Sequence, residues 1–391
     1  MNIDLIFALV FYGLLLLFFF THRSRFEVQG GFFALYRTKL GLKSMDKIAK
    51  KMPRLVNFLG TTGIVVGFAG MLLMVYFLFI GAYGVLVGKE PILSPVLPGV
   101  KIAAGLPELG FWHWVISIFI VAVIHEFSHG VLARRYDVKV KSSGFAFLGP
   151  ILAAFVEPDE KVMMKRKKKE QLAIFAAGSF SNVVLGIIFL LITGLLAGAA
   201  YSTLDFNGVK VNGFEENSVL EKSGMQLGEV IRSVNGVEIK TSDSLTGILK
   251  SMKPGDEISI VTDKGTYNVV AEEHPVSKGR AYLGISISPM GYKQEYKEKY
   301  GDFWLNGLFW VYLLCWWIYT ISLGIGIFNL VPLGPVDGGR MLLVSLNKFM
   351  DEKKAKKVWT YISVFVLLLI FINLLPWIIK LLMFIAQPFI G

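Results

Sequence analysis

The chain has 391 residues, of which 54% are hydrophobic and only 18% charged, and its mean hydropathy is +0.58. Soluble domains carry about 25% charged residues, so an ordinary soluble globular protein is excluded. The formal net charge of +11 is concentrated in short segments between apolar runs, which argues against nucleic acid as a partner and for determinants of membrane topology.

Stretches without Asp, Glu, Lys or Arg cover 5–21, 55–88, 109–124, 171–204, 303–336 and 358–379. A helix needs roughly 20 residues to cross a bilayer core, so these runs predict a polytopic α-helical membrane protein with about six transmembrane helices. The first run has no base among Met1–Asp4 but is followed by Arg23 and Arg25. That order is inverted for a cleaved signal and predicts a membrane helix with its N-terminus outside. Runs 55–88, 171–204 and 303–336 exceed the length of one crossing and predict tilted or broken helices. Glycines such as Gly60, Gly63 and Gly67 offer break points and close helix contacts in the first of these runs, and Gly178 and Gly186, then the Pro332/Pro335 pair, are the expected interruptions of the other two.

Charge orients these crossings. Segment 22–54 holds nine Lys/Arg and two acids, 133–170 holds ten Lys/Arg and 337–357 holds six, whereas loop 89–110 holds two. Alternating crossings put the three basic segments on one face, the cytoplasmic one, with the cluster Lys165–Lys169 as the strongest signal and an anionic-lipid contact as its ordinary role. The single cysteine, Cys315, lies in an apolar run, so an intramolecular disulfide or a thiolate metal cluster is impossible.

Residues 205–302 differ in character. Short β-rich stretches at Val209–Phe214, Glu229–Val234, Glu257–Val261, Tyr267–Ala271 and Ala281–Ser288 alternate with turn signals and two helix-like pieces, Ser218–Ser223 and Asp243–Met252. They predict one small soluble β-rich domain. The wording from Glu216 to Gly224, followed by Gly228 to Gly236, resembles a PDZ domain of the kind attached to bacterial and archaeal proteases, and topology places it outside the cytoplasm.

The chemistry-bearing residues stand out against the apolar background. In His125-Glu126-Phe127-Ser128-His129, two imidazoles at i and i+4 share one helix face and can take two positions of a zinc ion, with Glu126 beside them. Three ionisable residues in a membrane helix are costly unless paired, coordinated or hydrated. A third ligand is available in Asn329-Leu-Val-Pro332-Leu-Gly-Pro335-Val-Asp337-Gly338-Gly339, where a carboxylate follows an apolar run among helix breakers. Asp337 as a plain solvated helix cap is the alternative. The topology brings His125, His129 and Asp337 to the same, cytoplasmic, side. His125 lies nine residues from Arg134, roughly 14 Å along a helix, and Asn182 reaches a comparable depth on the next helix.

HExxH in one membrane helix, Gly178-Ser-Phe-Ser-Asn182 in the next, an intervening PDZ-like domain and then Asn329-x-x-Pro332-x-x-x-x-Asp337-Gly resemble the site-2 protease family of intramembrane zinc metalloproteases, over roughly 111–345. The resemblance implies a metalloendopeptidase with one zinc ion per chain held by His125, His129 and Asp337, and Glu126 as general base and acid. It also implies that Asn182 and Asn329 position the substrate, by bonding either its backbone or the developing oxyanion. Val336 stands where the family usually has Leu, a change of packing. The implied substrates are transmembrane segments of other membrane proteins, cut in regulated intramembrane proteolysis, with the site near the cytoplasmic face of the cell membrane. A non-enzymatic scaffold or transporter, with buried His and Asp serving ions, is the competing reading.

Two further stretches carry open alternatives. Tyr136–Phe147 is either an edge strand that receives the unwound substrate by strand addition or a plain hairpin. Arg280–Ile285 resembles a PDZ carboxylate-binding loop, which would capture a freshly cut C-terminus, or is a closing strand. The expected organisation is therefore 1–110, an N-terminal transmembrane pair with a basic cytoplasmic loop; 111–204, the HExxH and GxxxN helices; 205–302, the extracytoplasmic PDZ-like domain; and 303–391, the NxxPxxxxDGG helix and a C-terminal helix.

Overall fold

The structure, a computed structural model, describes residues 3–29, 33–89, 91–98, 107–148, 151–215, 218–274, 278–289 and 291–390. Glu216 and Asn217 of the PDZ-like wording and part of the 89–110 loop lie outside the described residues. The chain folds as two compact units, 1–193 with 313–391, and 194–312.

The first unit begins with α1 (Ile3–Thr21), β1 (Phe26–Gln29), β2 (Phe33–Thr38), α2 (Leu42–Lys51), α3 (Pro53–Leu86) and α4 (Phe111–Arg135). It continues through β3 (Val140–Leu148), β4 (Ile151–Pro158), the single turn α5 (Glu160–Met163) and α6 (Lys168–Ser202). Among the described residues, five helices are long and apolar enough to cross a membrane: α3, α4, α6 and two that follow the second unit. The first apolar run, expected as a sixth crossing, forms the 19-residue helix α1.

Helices α3 and α6 run unbroken over 34 and 35 residues, so their glycines are not break points. A helical glycine costs about 1 kcal/mol relative to alanine, and here it allows close approach instead. A Cβ on Gly67 would lie 2.7 Å from Met341 Cε, and one on Gly186 would lie 2.6 Å from Leu323 Cδ2. The first of these contacts closes on a core in which Met45, Val56, Leu132, Phe175 and Met341 are buried together.

The four strands of this unit form an antiparallel sheet in the order β1-β2-β3-β4. Strand β3 is paired on both sides, Phe145 facing Tyr36 on one and Ala154 on the other. The edge-strand alternative for Tyr136–Phe147 thus gives way to an interior strand, and among the described residues the outer strand on that side of the sheet is β4. Arg37 fixes the register across all four strands: its guanidinium bonds Glu27 on β1, Ser142 on β3 and Glu157 on β4.

The second unit contains β5 (Val209–Phe214), α7 (Val219–Lys222), β6 (Val230–Val234), β7 (Val237–Glu238), α8 (Ser242–Ser251), β8 (Glu257–Thr262) and β9 (Thr266–Val270). It closes with β10 (Glu272–Glu273), β11 (Ala281–Tyr282) and β12 (Ile285–Pro289). Its main sheet runs β12-β5-β6-β8-β9, with β7 on β6, and its core buries Val211, Leu220, Ile231, Leu245 and Ile258. The stretch Ala281–Ser288 is two short strands because Gly284, at φ 68°, turns between them, and a Cβ there would press on Ser218 at 2.9 Å. Burial alone would raise the Glu229 carboxyl, but the Gln226 amide, the Thr262 and Tyr267 hydroxyls and the Lys264 charge outweigh it and hold it below the usual range. Strands β6, β8 and β9 are tied together through that carboxylate.

The chain returns through α9 (Gln294–Phe328), bent at Gly301, then α10 (Asp337–Phe349) and α11 (Glu352–Ile390). α9 and α11 complete the five long apolar helices. Helix α11 packs on α3 through Val366 and Leu369 against Met74 and Leu78, and Asn373 Nδ2 donates to the Leu78 carbonyl at 2.9 Å.

Candidate metal centre

The site lies in the first unit and is assembled by α4, α6 and the α9–α10 turn. On α4, His125 and His129 stand one helical turn apart with their Nε2 atoms 3.2 Å from each other. Asp337 arrives because α9 stops at Phe328 and the chain turns through 329–336, as the Pro332/Pro335 pair requires. The turn is closed by Gly338 N–H donating to the Asn329 carbonyl at 2.8 Å. Gly338 and Gly339 press against the carbonyls of Leu330 and Leu333, where any Cβ would overlap backbone. Asp337 then opens α10, with its carboxylate in the first turn, where the helix dipole favours negative charge.

This geometry fits a metal ion. Asp337 Oδ2 is 3.3 Å from His125 Nε2, and Oδ1 is 3.4 Å from His129 Nε2. Donors about 2.0–2.1 Å from a tetrahedral zinc lie roughly 3.3 Å apart, close to the spacing of the two Nε2 atoms and of each Nε2 from one Asp337 oxygen. The donor atoms form the one His/Cys/Asp/Glu cluster with metal-ligand spacing among the described residues. Three protein ligands leave a fourth position open, as hydrolytic zinc requires.

Helix α6 backs the cluster. His129 Nδ1 lies 2.7 Å from the Ile174 carbonyl and donates to it, which leaves the Nε2 lone pair facing the cluster. Ser179 Oγ donates to Asp337 Oδ2 at 2.9 Å, and Asn182 Nδ2 is placed 3.0 Å from His125 Nδ1. Between them Gly178 brings the α6 backbone so close that a Cβ would overlap Nε2 of both imidazoles. Ser179 and the Ile174 carbonyl went unnoticed in the sequence: an apolar helix reveals neither a backbone acceptor nor which of two serines in Gly178–Asn182 points to a ligand.

The cluster opens on a cavity of about 690 Å³ lined by His125, Glu126, His129, Asn329, Asp337 and Arg340, among others. Glu126 Oε2 accepts the backbone N–H of Val156 on β4 at 3.0 Å, so this carboxylate sits between the donor set and the free sheet edge. Asn329 lines the cavity, whereas Asn182 does not and is 0% exposed.

Membrane-length helices and a buried two-histidine, one-carboxylate centre beside the Glu126 carboxylate define an integral-membrane metallohydrolase. The model of Peptidase family M50 matches residues 113–372, and the chain belongs to that family. It is a membrane zinc metalloendopeptidase, and the donor set suits one zinc ion. An uncharacterized protein of Methanocaldococcus jannaschii is 29% identical over 89% of this chain and 86% of its own length. The zinc metalloprotease RasP of Shouchella clausii is 25% identical over 68% of this chain and 76% of its own. Among solved structures, the PDZ domain of an SdrC-like protein from Listeria monocytogenes covers 21% of this chain and 88% of its own, with 21% identity and a TM-score of 0.20.

Proposed function

We propose that this enzyme hydrolyses peptide bonds within transmembrane segments of other membrane proteins, as a step in regulated intramembrane proteolysis. One observation carries the reading: His125, His129 and Glu126 belong to a helix of membrane-spanning length and, with Asp337, line one cavity. Bound zinc supplies Lewis acidity that makes water nucleophilic near neutral pH. Glu126 accepts the proton of the attacking water and returns it to the leaving amine. An intact helix hides its carbonyls in i to i−4 bonds, so the substrate must unwind before attack. The β4 edge, which meets Glu126 at Val156, is suited to hold the unwound segment by strand addition. Asn329, on the cavity wall, is placed to bond substrate backbone or oxyanion.

The three basic segments orient the site towards the cytoplasm and put 205–302 on the opposite side, where its PDZ-like sequence suits capture of new C-termini. The protein in detergent should hold one zinc per chain and cut single-pass transmembrane peptides inside their apolar span. A chelator should abolish cleavage and added zinc restore it. Intact spans alongside cut soluble peptides would refute the intramembrane reading. A thiol introduced as Lys167→Cys should react with an impermeant reagent from the cytoplasmic side alone, and labelling from outside would reverse the orientation.

A further inference from the structure

We infer that Asn182 is a positioning residue for His125 and Ser179 one for Asp337, so that helix α6 carries the outer hydrogen bonds of the entire donor set. The inference rests on the zinc reading of the site and assigns Asn182 a task other than the substrate contact implied by family resemblance. Three observations lead to it. Asn182 is fully buried, away from the cavity: Ser322 Oγ donates to its backbone carbonyl at 2.8 Å, and Gly326 of α9 leaves only 3.0 Å for a Cβ against its own. A side chain walled in by α9 has no path to a substrate in the cavity, whereas Asn329 has one.

The second observation is a mismatch in hydrogen-bond chemistry. With Nε2 directed at a metal, a neutral imidazole carries its proton on Nδ1 and must donate from it. His125 Nδ1 instead faces an amide nitrogen at 3.0 Å, donor against donor, while Asn182 Oδ1 is buried with no partner. The two ends of an amide have the same shape, and half a turn of the group exchanges them. Oδ1 then accepts from Nδ1–H, which removes the clash of donors, and Nδ2 takes the position in which Oδ1 had no partner. The metal-ligand role of His125 therefore dictates the orientation of Asn182.

The third is that the arrangement repeats. His129 is held through Nδ1 by the Ile174 carbonyl and Asp337 through Oδ2 by the Ser179 hydroxyl, at 2.7 and 2.9 Å. Ile174, Ser179 and Asn182 all lie on α6, so one helix sets the tautomer of one histidine, the orientation of the other and the rotation of the carboxylate. Such outer partners fix ring orientation and raise ligand basicity, and their loss lowers metal affinity by about 10–100-fold.

The experiment measures zinc affinity of the full-length protein in detergent by chelator competition, with the visible spectrum of the cobalt-loaded form as a report on ligand geometry. Asn182→Leu, similar in shape, should weaken zinc binding by about 10–100-fold, and Ser179→Ala by about tenfold, each with an altered cobalt spectrum. Asn182→Asp keeps an acceptor for Nδ1–H and should bind zinc within a few-fold of the parent, which also decides the matter if Asn182→Leu does not fold. Parent-like zinc affinity in Asn182→Leu with a raised KM for a transmembrane peptide would overturn the inference in favour of substrate contact. A tenfold or greater loss in Asn182→Asp would overturn it too. Failure of the parent itself to bind zinc would instead refute the metal reading on which the inference stands.

Discussion

Glu126→Gln should retain one zinc per chain and the parent's thermal stability while losing at least about a hundredfold in cleavage of a transmembrane peptide, since positioned acid–base groups contribute roughly 10²–10⁴-fold. The separation of binding from turnover follows from the geometry. Glu126 is not one of the three clustered donors, so its neutralisation removes no ligand. Its structural contact is the bond accepted from Val156 N–H at 3.0 Å, and the carboxamide oxygen of Gln accepts the same bond at the same reach. Only the basicity is lost, and an amide neither takes a proton from water nor returns one to an amine. The contact with β4 adds a second expectation: the variant should still bind transmembrane peptide, because the sheet edge is unaltered. Zinc content by mass spectrometry and single-turnover cleavage distinguish the steps. Full activity in Glu126→Gln would remove Glu126 from the mechanism, and loss of zinc would make it a ligand.

The parts of this molecule that sequence makes legible are those governed by local periodicity. His125 and His129 share a face because 3.6 residues per turn puts i and i+4 together, and Asp337 is marked by the prolines and glycines that end α9. Charge-free runs place the long helices for the same reason, since each is a contiguous segment. Relations between distant segments are less legible. Tyr136–Phe147 alternates as an edge strand would, but β2, a hundred residues earlier, docks against it and transfers the free edge to β4. Alternation reports which side chains face inward, not which strands are neighbours. The glycines of α3 and α6 show the same limit: composition marks those of α3 as breaks or contacts and those of α6 as interruptions, and only the positions of Met341 and Leu323 decide for contacts. At the metal centre the ligands come from motifs, whereas their supports come from a helix that supplies one carbonyl, one hydroxyl and one amide without a recognisable pattern.

Gly178 makes that dependence on close approach measurable. An alanine Cβ at this position would overlap Nε2 of both His125 and His129, the two atoms directed at the metal. Neither imidazole can yield freely. His129 is held by the Ile174 carbonyl, and both Nε2 atoms face Asp337 from 3.3–3.4 Å. The alternative is for α6 to move away from α4, which lengthens the Ser179 and Asn182 contacts together. Gly178→Ala should therefore lower zinc affinity by about a hundredfold or more, the upper end expected when outer partners fail, and should destabilise the metal-free protein by about 1–3 kcal/mol through overpacking. Cleavage should fall in parallel with bound zinc. Gly194 and Gly198 lie further along the same helix with nothing within 4 Å of a Cβ. Gly194→Ala and Gly198→Ala should leave zinc affinity unchanged and the helix slightly more stable, because alanine is the better helix former. Chelator competition on the three variants checks the contrast. Parent-like zinc binding in Gly178→Ala would mean that the α4–α6 crossing has slack, and the hydrogen bonds α6 supplies would then not fix the geometry of the donor set.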